Sequence, residues 1–365
     1  MNYKYTRNSG IELLRIFALL GVIMIHFSDR AFPVLLESGN GLYLLMFIRS
    51  LCASSVDVFL IITGYFMCDK FKRSLGKPFS LVLQVCVYSE LIYLVMCMFS
   101  VYPITLKHFF GQLIPDSYYT TLFVVLYFIS PYINLVLSRL SECEIKKFLL
   151  ILIFIFSFMS VLPLVFEEVT DREYMGLNTI GAWGSSQGFN IVNFCLCYIV
   201  GATIRRVKLP ACFERSFFLC SMIIITVCVI FLWSIGCYFL LFPNGMCSAW
   251  VYDNPLVILL GSLCFILFKN IHLNSNFVDA IAKCVYATFI IHCGLIWHFP
   301  IERICDMPWY ILYISFVLFS ICSILLSWLI FRLYSLFTTK LIRKLDTILI
   351  VNLSGNSDNI DRNII

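Results

Sequence analysis

Hydrophobic residues fall into ten long runs separated by short polar breaks. The runs cover 11–28, 43–67, 79–100, 117–138, 147–166, 190–206, 217–241, 251–268, 282–299 and 309–337. A membrane-spanning helix needs about 20 mainly apolar residues, so each run is close to the length of one span. The breaks carry turn-forming residues, as in Gly76-Lys77-Pro78 and Pro243-Asn244-Gly245. The pattern predicts an all-α integral membrane protein, built as a bundle of about ten transmembrane helices.

The composition agrees with that prediction. Of 365 residues, 61% are hydrophobic and 13% are charged, whereas soluble chains are roughly half apolar and about a quarter charged. A soluble enzyme and a disordered chain are therefore excluded. The 17 cysteines lie mostly inside apolar runs, where Cys acts as a small hydrophobe, and their spacing fits no metal site. We expect one transmembrane domain over 1–345, a polar tail over 346–365 and no bound metal.

Lys and Arg concentrate on one side of the predicted topology, and this sets its direction. That side holds Lys4, Arg7, Lys70, Lys72, Arg73, Lys77, Arg139, Lys146, Lys147, Arg205, Arg206, Lys208, Arg215, Lys269, Lys283, Lys340, Arg343 and Lys344. The opposite side has Arg30, Lys107, Arg172 and Arg303. The asymmetry predicts that both termini are cytoplasmic. The basic residues form short clusters between apolar runs, which argues against nucleic-acid binding.

Four ionisable residues stand out within the predicted spans, namely Arg15, His26, Asp57 and His292, and Glu90 is a weaker fifth. A charge at the centre of a bilayer costs at least about 2.5–3.5 kcal/mol, so such residues are candidates for function. Arg15 and His26 are eleven residues apart, which places them on one face of a helix about 16 Å apart along its axis. One interpretation is a charged donor held near Arg15 with chemistry at His26. The other is an Arg15 that reaches the inner phosphates and an interfacial His26.

Asp57 and His292 are also open to two interpretations. The predicted depth of Asp57 lies between those of Arg15 and His26, so the carboxylate is expected to pair with Arg15 or to orient an imidazole. A purely structural ion pair is the alternative. His292 is as consistent with a packed core histidine as with a catalytic one. His108, His272 and His298 receive no role.

Several of these residues lie in motifs that resemble those of the membrane acyltransferase-3 family. Asn8 to Phe27 is similar to the opening of that family, which has an Arg and a His eleven positions apart. Asp57 to Phe66 resembles its second-span motif, with Thr63 in place of the usual Ser. Weaker resemblances follow in order at 127–134, 198–202 and 289–292, so the similarity spans about 8–335. The loop from Lys70 to Lys77 lacks a clear Arg-x-Arg.

The resemblance implies a stand-alone polysaccharide O-acetyltransferase of the bacterial inner membrane. Acetyl-CoA would be the acyl donor, with its phosphates held by Arg15 and the inner basic loops. A cell-surface glycan or its lipid-linked precursor would be the acceptor, and membrane lipid would surround the chain. His26 would act as general base, Asp57 would position Arg15 or the imidazole, and Thr63 would donate a hydrogen bond. The oligomeric state stays open.

Two alternatives to this function remain at this point. The first is a polysaccharide flippase or transporter that transfers no acyl group, although no repeated halves are visible. The second is the same fold with another acyl donor or acceptor. The predicted outer loop 167–189 includes Trp183, which would either contact sugar or anchor the chain at the membrane interface.

Overall fold

The computed structural model describes residues 8–39, 41–170, 172, 188–240 and 247–353. Within these ranges the chain is almost entirely helical. The α-helices are α1 Ser9–Ser38, α2 Leu42–Cys52, α3 Ser55–Met67, α4 Gly76–Met98, α5 Leu106–Gln112, α6 Tyr118–Ser138, α7 Glu142–Ile153, α8 Met159–Thr170, α9 Ile191–Arg206, α10 Ser216–Phe239, α11 Pro255–Lys269, α12 Asn276–Ala282, α13 Val285–Ile296, α14 Ile301–Cys305 and α15 Trp309–Asp346. A π-helical turn, Phe154–Phe158, joins α7 to α8, and short 3-10 turns occur at Ala211–Glu214 and Ser248–Trp250.

The prediction of an all-α membrane bundle is confirmed. Each of the ten apolar runs contains helix, and eight helical stretches in the described residues are long and apolar enough to cross a membrane. A ninth is added if α12 and α13, which meet at a bend of 50°, count as one span. The remaining run forms α9, which has only 16 residues. The cytoplasmic position of both termini stays a prediction.

Helix α1 is central in the bundle and α15 is peripheral. We compare the most apolar 18-residue stretch of each helix. In α1, 67% of that stretch is buried inside the protein, and in α15 only 22% is. The side chain of Asn8 caps the start of α1 by accepting from the Gly10 amide. At the other end Gly39 adopts a left-handed conformation with φ 69°, and its amide donates to the Leu35 carbonyl at 2.8 Å. The 30-residue α1 can therefore carry Arg15 and His26 on one rigid element.

Helices α3 and α9 pack backbone to backbone through two glycines. A Cβ atom at Gly64 would overlap the carbonyl oxygen of Tyr198, and one at Gly201 would overlap the carbonyl oxygen of Ile61. Small residues are the usual means by which membrane helices approach this closely, since lipid provides no hydrophobic drive for helix association. The contact explains why so short a helix as α9 is held in the centre of the bundle.

A small antiparallel ribbon, absent from the sequence prediction, closes the predicted cytoplasmic end. Strand β1, Lys72–Ser74, pairs with β2, Leu349–Asn352, with Arg73 opposite Val351. The hydroxyl of Ser74 also donates to Asp346 at 3.0 Å. The residues just after α15 thus contact the loop between α3 and α4. The predicted polar tail over 346–365 lies mostly outside the described residues and stays a prediction.

The glycine contact between α3 and α9 predicts how substitutions affect stability. Gly64→Ala and Gly201→Ala should each lower the free energy of unfolding by at least about 1–3 kcal/mol, the usual cost of overpacking. Gly236→Ala in α10 is the matched control, because a Cβ there meets no atom within 4 Å. Thermal unfolding of the detergent-purified variants measures the effect. Equal midpoints for all three variants would contradict the assigned packing.

Candidate functional site

Two of the ionisable residues singled out in the sequence, His26 and His292, meet in the bundle. His26 projects from α1 and His292 from α13, and their ring centroids are 5.5 Å apart. The thiol of Cys293 completes the group, with its Sγ 3.9 Å from Nε2 of His26 and 3.6 Å from Nε2 of His292. Cys293 was not among the predicted site residues, because no sequence feature distinguishes it from the other cysteines in apolar runs.

Hydrogen bonding fixes the tautomer of His292. Its Nδ1 lies 2.9 Å from the carbonyl oxygen of Thr288, one turn earlier in α13. A carbonyl oxygen can only accept, so Nδ1 carries the proton and Nε2 presents a lone pair to Cys293. His292 is fully buried, whereas His26 is partly exposed. Of the two imidazoles, His26 is therefore the one that a substrate can reach.

His26 lines two cavities toward the C-terminal end of α1. The smaller, the Trp250 cavity, has a volume of about 380 Å³ and is walled by Phe32, Tyr118, Trp250 and Tyr252. Its polar wall is an ion pair in which Arg49 lies 3.0 Å from Asp29. The guanidinium of Arg49 also lies over the Trp250 ring, 5.8 Å from its centroid. Aromatic faces beside one fixed ion pair are suited to binding a polar ring-shaped ligand.

The larger of the two, the Tyr102 cavity, has a volume of about 750 Å³. It runs between α4, α5 and α13 and is lined by His26, Cys293, Tyr93, Tyr102 and His298 among others. The two cavities share His26 and Tyr118. The imidazole of His26 is thus accessible from both.

Two buried carboxylates hold the wall of the Trp250 cavity in place. Glu168 at the end of α8 accepts hydrogen bonds from the Ser248 amide at 2.7 Å and from its hydroxyl at 2.5 Å. Asp253 accepts from the Ser160 hydroxyl at 2.6 Å. These bonds fix the turn that carries Trp250. Both carboxylates lie at the edges of apolar runs, where no sequence signal distinguishes them from ordinary loop residues.

A third cavity, the Arg15 cavity, lies toward the N-terminal end of α1. Its volume is about 220 Å³, and it brings together three cations, Arg15, Lys77 and Lys283, with the Thr63 side chain. Arg15 is paired with Glu12 at 3.0 Å. The Thr63 hydroxyl donates to the Phe59 carbonyl at 2.8 Å and keeps its lone pairs for a ligand. Lys77 and Lys283 were two of many basic loop residues in the sequence, and only the fold selects them.

One aromatic residue is common to the Arg15 cavity and to a cavity that His26 lines. Phe289 lines both the Arg15 cavity and the Tyr102 cavity. Its ring centroid lies 5.1 Å from that of Tyr119 and 5.8 Å from that of His292. The cationic cavity and the imidazole pair therefore share a neighbour on α13.

Asp57 has a different partner from the one expected. It is completely buried in the first turn of α3, where its carboxylate accepts a hydrogen bond from Asn193 of α9 at 3.3 Å. Arg15 pairs instead with Glu12, three residues earlier on its own helix. The predicted depths of Asp57 and Arg15 in the membrane are similar, but the two side chains do not pair, because α3 directs Asp57 toward α9.

The basic loop after α3 was expected to help hold the phosphates of the donor, but its Arg73 is used to hold the fold together. Arg73 is only 2% exposed and donates to the Tyr127 carbonyl at 2.9 Å, to the Ser130 hydroxyl at 2.6 Å and to two carbonyls of its own loop. This guanidinium is a structural group that fixes the loop on α6. Most of the predicted outer loop 167–189, with Trp183, lies outside the described residues.

The structure therefore defines a polytopic helical membrane protein with a pair of imidazoles, one of which lines two cavities, and with a separate cationic cavity that shares the wall residue Phe289. The chain belongs to the acyltransferase-3 family, whose acyltransferase-domain model matches residues 8–332. It is a multi-pass membrane acyltransferase. No curated protein and no solved structure matched the chain.

The assignment of Arg73 as a structural residue can be tested against its neighbour. Arg73→Gln should destabilise the protein by about 1–3 kcal/mol for each buried acceptor left without a donor, lowering the yield of folded protein. Lys72→Gln, at the exposed position beside it, should have little effect. Size-exclusion profiles and thermal unfolding of both variants provide the measurement. An Arg73→Gln protein as stable as wild type would show that the guanidinium does not hold the loop.

Proposed function

We propose that the protein transfers an acetyl group from cytoplasmic acetyl-CoA to a hydroxyl of a cell-surface polysaccharide or its lipid-linked precursor, in the inner membrane of a bacterium. One observation carries the proposal: in a chain of this acyltransferase family, an accessible imidazole lines an aromatic cavity, and its partner His292 contacts a residue, Phe289, that lines a cationic cavity. The cationic cavity suits a phosphorylated donor and the aromatic one suits a sugar.

The Arg15 cavity is the proposed donor site. Three cations around one opening match the phosphates of a CoA thioester, and an Arg guanidinium binds phosphate through paired hydrogen bonds. The volume of about 220 Å³ is below the usual range for a whole drug-sized ligand, roughly 300–1,000 Å³. The cavity therefore takes the thioester arm, while the nucleotide phosphates stay at its mouth near Arg15, Lys77 and Lys283.

The Trp250 cavity is the proposed acceptor site. Sugar rings present apolar C–H faces that pack on aromatic side chains such as Trp250 and Tyr252, and hydroxyls that bond to carboxylates and guanidinium groups. Asp29 and Arg49 supply both kinds of polar partner. A hydroxyl in this cavity lies on the side of His26 away from the donor.

His26 is the proposed general base. Its neutral imidazole takes the proton of the acceptor hydroxyl while the oxygen attacks the thioester carbonyl, and the same proton then passes to the departing CoA thiolate. His292 is the proposed second member of the pair. With Nδ1–H bound to Thr288, its unprotonated Nε2 lies in the group formed with Cys293 and His26, where a neutral ring stabilises the imidazolium formed at His26. Asp57 is proposed as a positioning residue, which holds α3 and its Thr63 against α9.

The general base is tested by removing the imidazole. His26→Ala should lower the rate of acetyl transfer by about 10²–10⁴, the usual contribution of a general base. The exposed His272→Ala is the control. The assay supplies labelled acetyl-CoA and acceptor glycan to purified protein in lipid and follows label in the glycan. Transfer at the wild-type rate by His26→Ala would exclude this role.

The donor site is tested by comparing two donors. Arg15→Ala should raise the KM for acetyl-CoA about 10- to 100-fold, since a hydrogen bond to a charged group contributes about 1.5–3 kcal/mol. S-acetylpantetheine, which lacks the nucleotide phosphates, should be used equally by wild type and variant. The exposed Arg139→Ala is the matched control. The phosphate role of Arg15 fails if its loss affects both donors alike.

A further inference from the structure

The cluster of His26, His292 and Cys293 has the dimensions of a metal site. In tetrahedral zinc sites the metal lies about 2.0–2.1 Å from nitrogen and about 2.3 Å from sulfur, which puts a nitrogen and a sulfur ligand about 3.6 Å apart. The Sγ of Cys293 lies 3.6 Å and 3.9 Å from the two Nε2 atoms. All three donor atoms lie within 4.8 Å of one another. A cation fits among them with only small side-chain adjustments.

The surroundings of His292 are those of a metal ligand. Ligating histidines almost always donate their second N–H to a carbonyl or carboxylate, which orients the ring and makes the other nitrogen a better ligand. The bond from Nδ1 to the Thr288 carbonyl at 2.9 Å does this for Nε2. Because both groups lie on α13, the orientation is built into the helix and does not depend on the metal.

The site is accessible and has an open position. His26 and Cys293 both line the Tyr102 cavity of about 750 Å³, so an ion can enter through it. Three protein ligands leave a fourth tetrahedral position for water or a substrate oxygen, as in zinc sites that exchange ligands. Two imidazoles and a thiolate favour zinc and similar ions over magnesium or calcium, which prefer oxygen ligands.

We infer that His26, His292 and Cys293 bind a thiophilic divalent cation such as Zn²⁺ from the Tyr102 cavity, with release of the Cys293 thiol proton to solvent. Coordination uses the Nε2 lone pair of His26. If the proposed function holds, the bound ion removes the general base, so the cation is an inhibitor of transfer. Metal binding itself does not depend on that function.

Cobalt provides a direct probe, because Co²⁺ takes zinc's geometry and its bond to a thiolate absorbs in the near ultraviolet. The full-length protein, purified in detergent and without acetyl-CoA, is titrated with Co²⁺ and then with Zn²⁺. We expect one equivalent of Co²⁺ to give the sulfur-to-cobalt band together with tetrahedral visible bands, and Zn²⁺ to abolish both. No such band in the wild type would overturn the proposal.

Variants identify the ligands. Cys293→Ser and Cys293→Ala should lose the sulfur-to-cobalt band and bind cobalt more weakly by at least about 10- to 100-fold, the effect of losing even an outer-shell partner. His292→Ala should lose the tetrahedral bands. Cys195→Ser, at another partly buried cysteine, is the matched control and should keep both. A band that persists in both Cys293 variants, or visible bands unchanged in His292→Ala, would assign the metal to other residues and reject the site.

A stability measurement covers the case in which a variant folds poorly. Ligands that bind only the native state raise its unfolding temperature. Zn²⁺ should therefore raise the Tm of the wild type and of Cys195→Ser but not that of Cys293→Ala. Equal shifts in all three proteins would contradict the site. Since neither readout involves acyl transfer, failure here leaves the proposed enzymatic function unaffected, and failure of that function leaves the metal site unaffected.

Discussion

The contact between α3 and α9 is the constraint on which the site depends most. At Gly64 and Gly201 each helix backbone occupies the space that a side chain of the other would need. This closeness brings Asn193 to Asp57 and lets the Tyr198 hydroxyl donate to Asn134 of α6 at 2.8 Å. In lipid, helices gain little from burying apolar surface against one another, so close packing and interhelical hydrogen bonds have to provide the association.

The contact between α3 and α9 also affects the loop before α4 and the wall of the Arg15 cavity. Asn134 donates to the Met67 carbonyl at 2.7 Å and the Lys70 carbonyl at 2.9 Å, which fixes the start of the loop that leads to α4 and its Lys77. Helix α3 carries Phe59 and Thr63 into the wall of the Arg15 cavity. A shift of α9 would therefore move the Asp57 partner and a wall of the cationic cavity together.

The sequence predicted the helices well and the partners of the charged residues poorly. Apolar runs near the length of a span located the helices, because hydrocarbon forces each crossing segment to satisfy its own backbone hydrogen bonds. The cost of charge in the membrane singled out Arg15, His26, Asp57 and His292, and the structure puts His26 beside His292. Spacing shows which residues share a face of one helix, but not which helix lies opposite.

Trp250 and Cys293 were not predicted as site residues, for a different reason. Trp250 and Cys293 are apolar enough to be ordinary packing residues, so only their position beside His26 marks them. Arg15 pairs at 3.0 Å with Glu12, one turn away on its own helix, whereas the predicted depth in the membrane pointed to Asp57. A local i,i+3 pair forms without any tertiary constraint, whereas a pair between helices needs the fold to bring it together.

Phe289 connects the fold of α13 to the arrangement of the cavities. It forms a wall common to the cationic Arg15 cavity and to the Tyr102 cavity that His26 lines. Its ring packs on Tyr119, with centroids 5.1 Å apart, and on His292, with centroids 5.8 Å apart. Phe289 and His292 lie one turn apart on α13, so the same helix positions the shared wall and the buried member of the imidazole pair. A change in the position of α13 would therefore move both together.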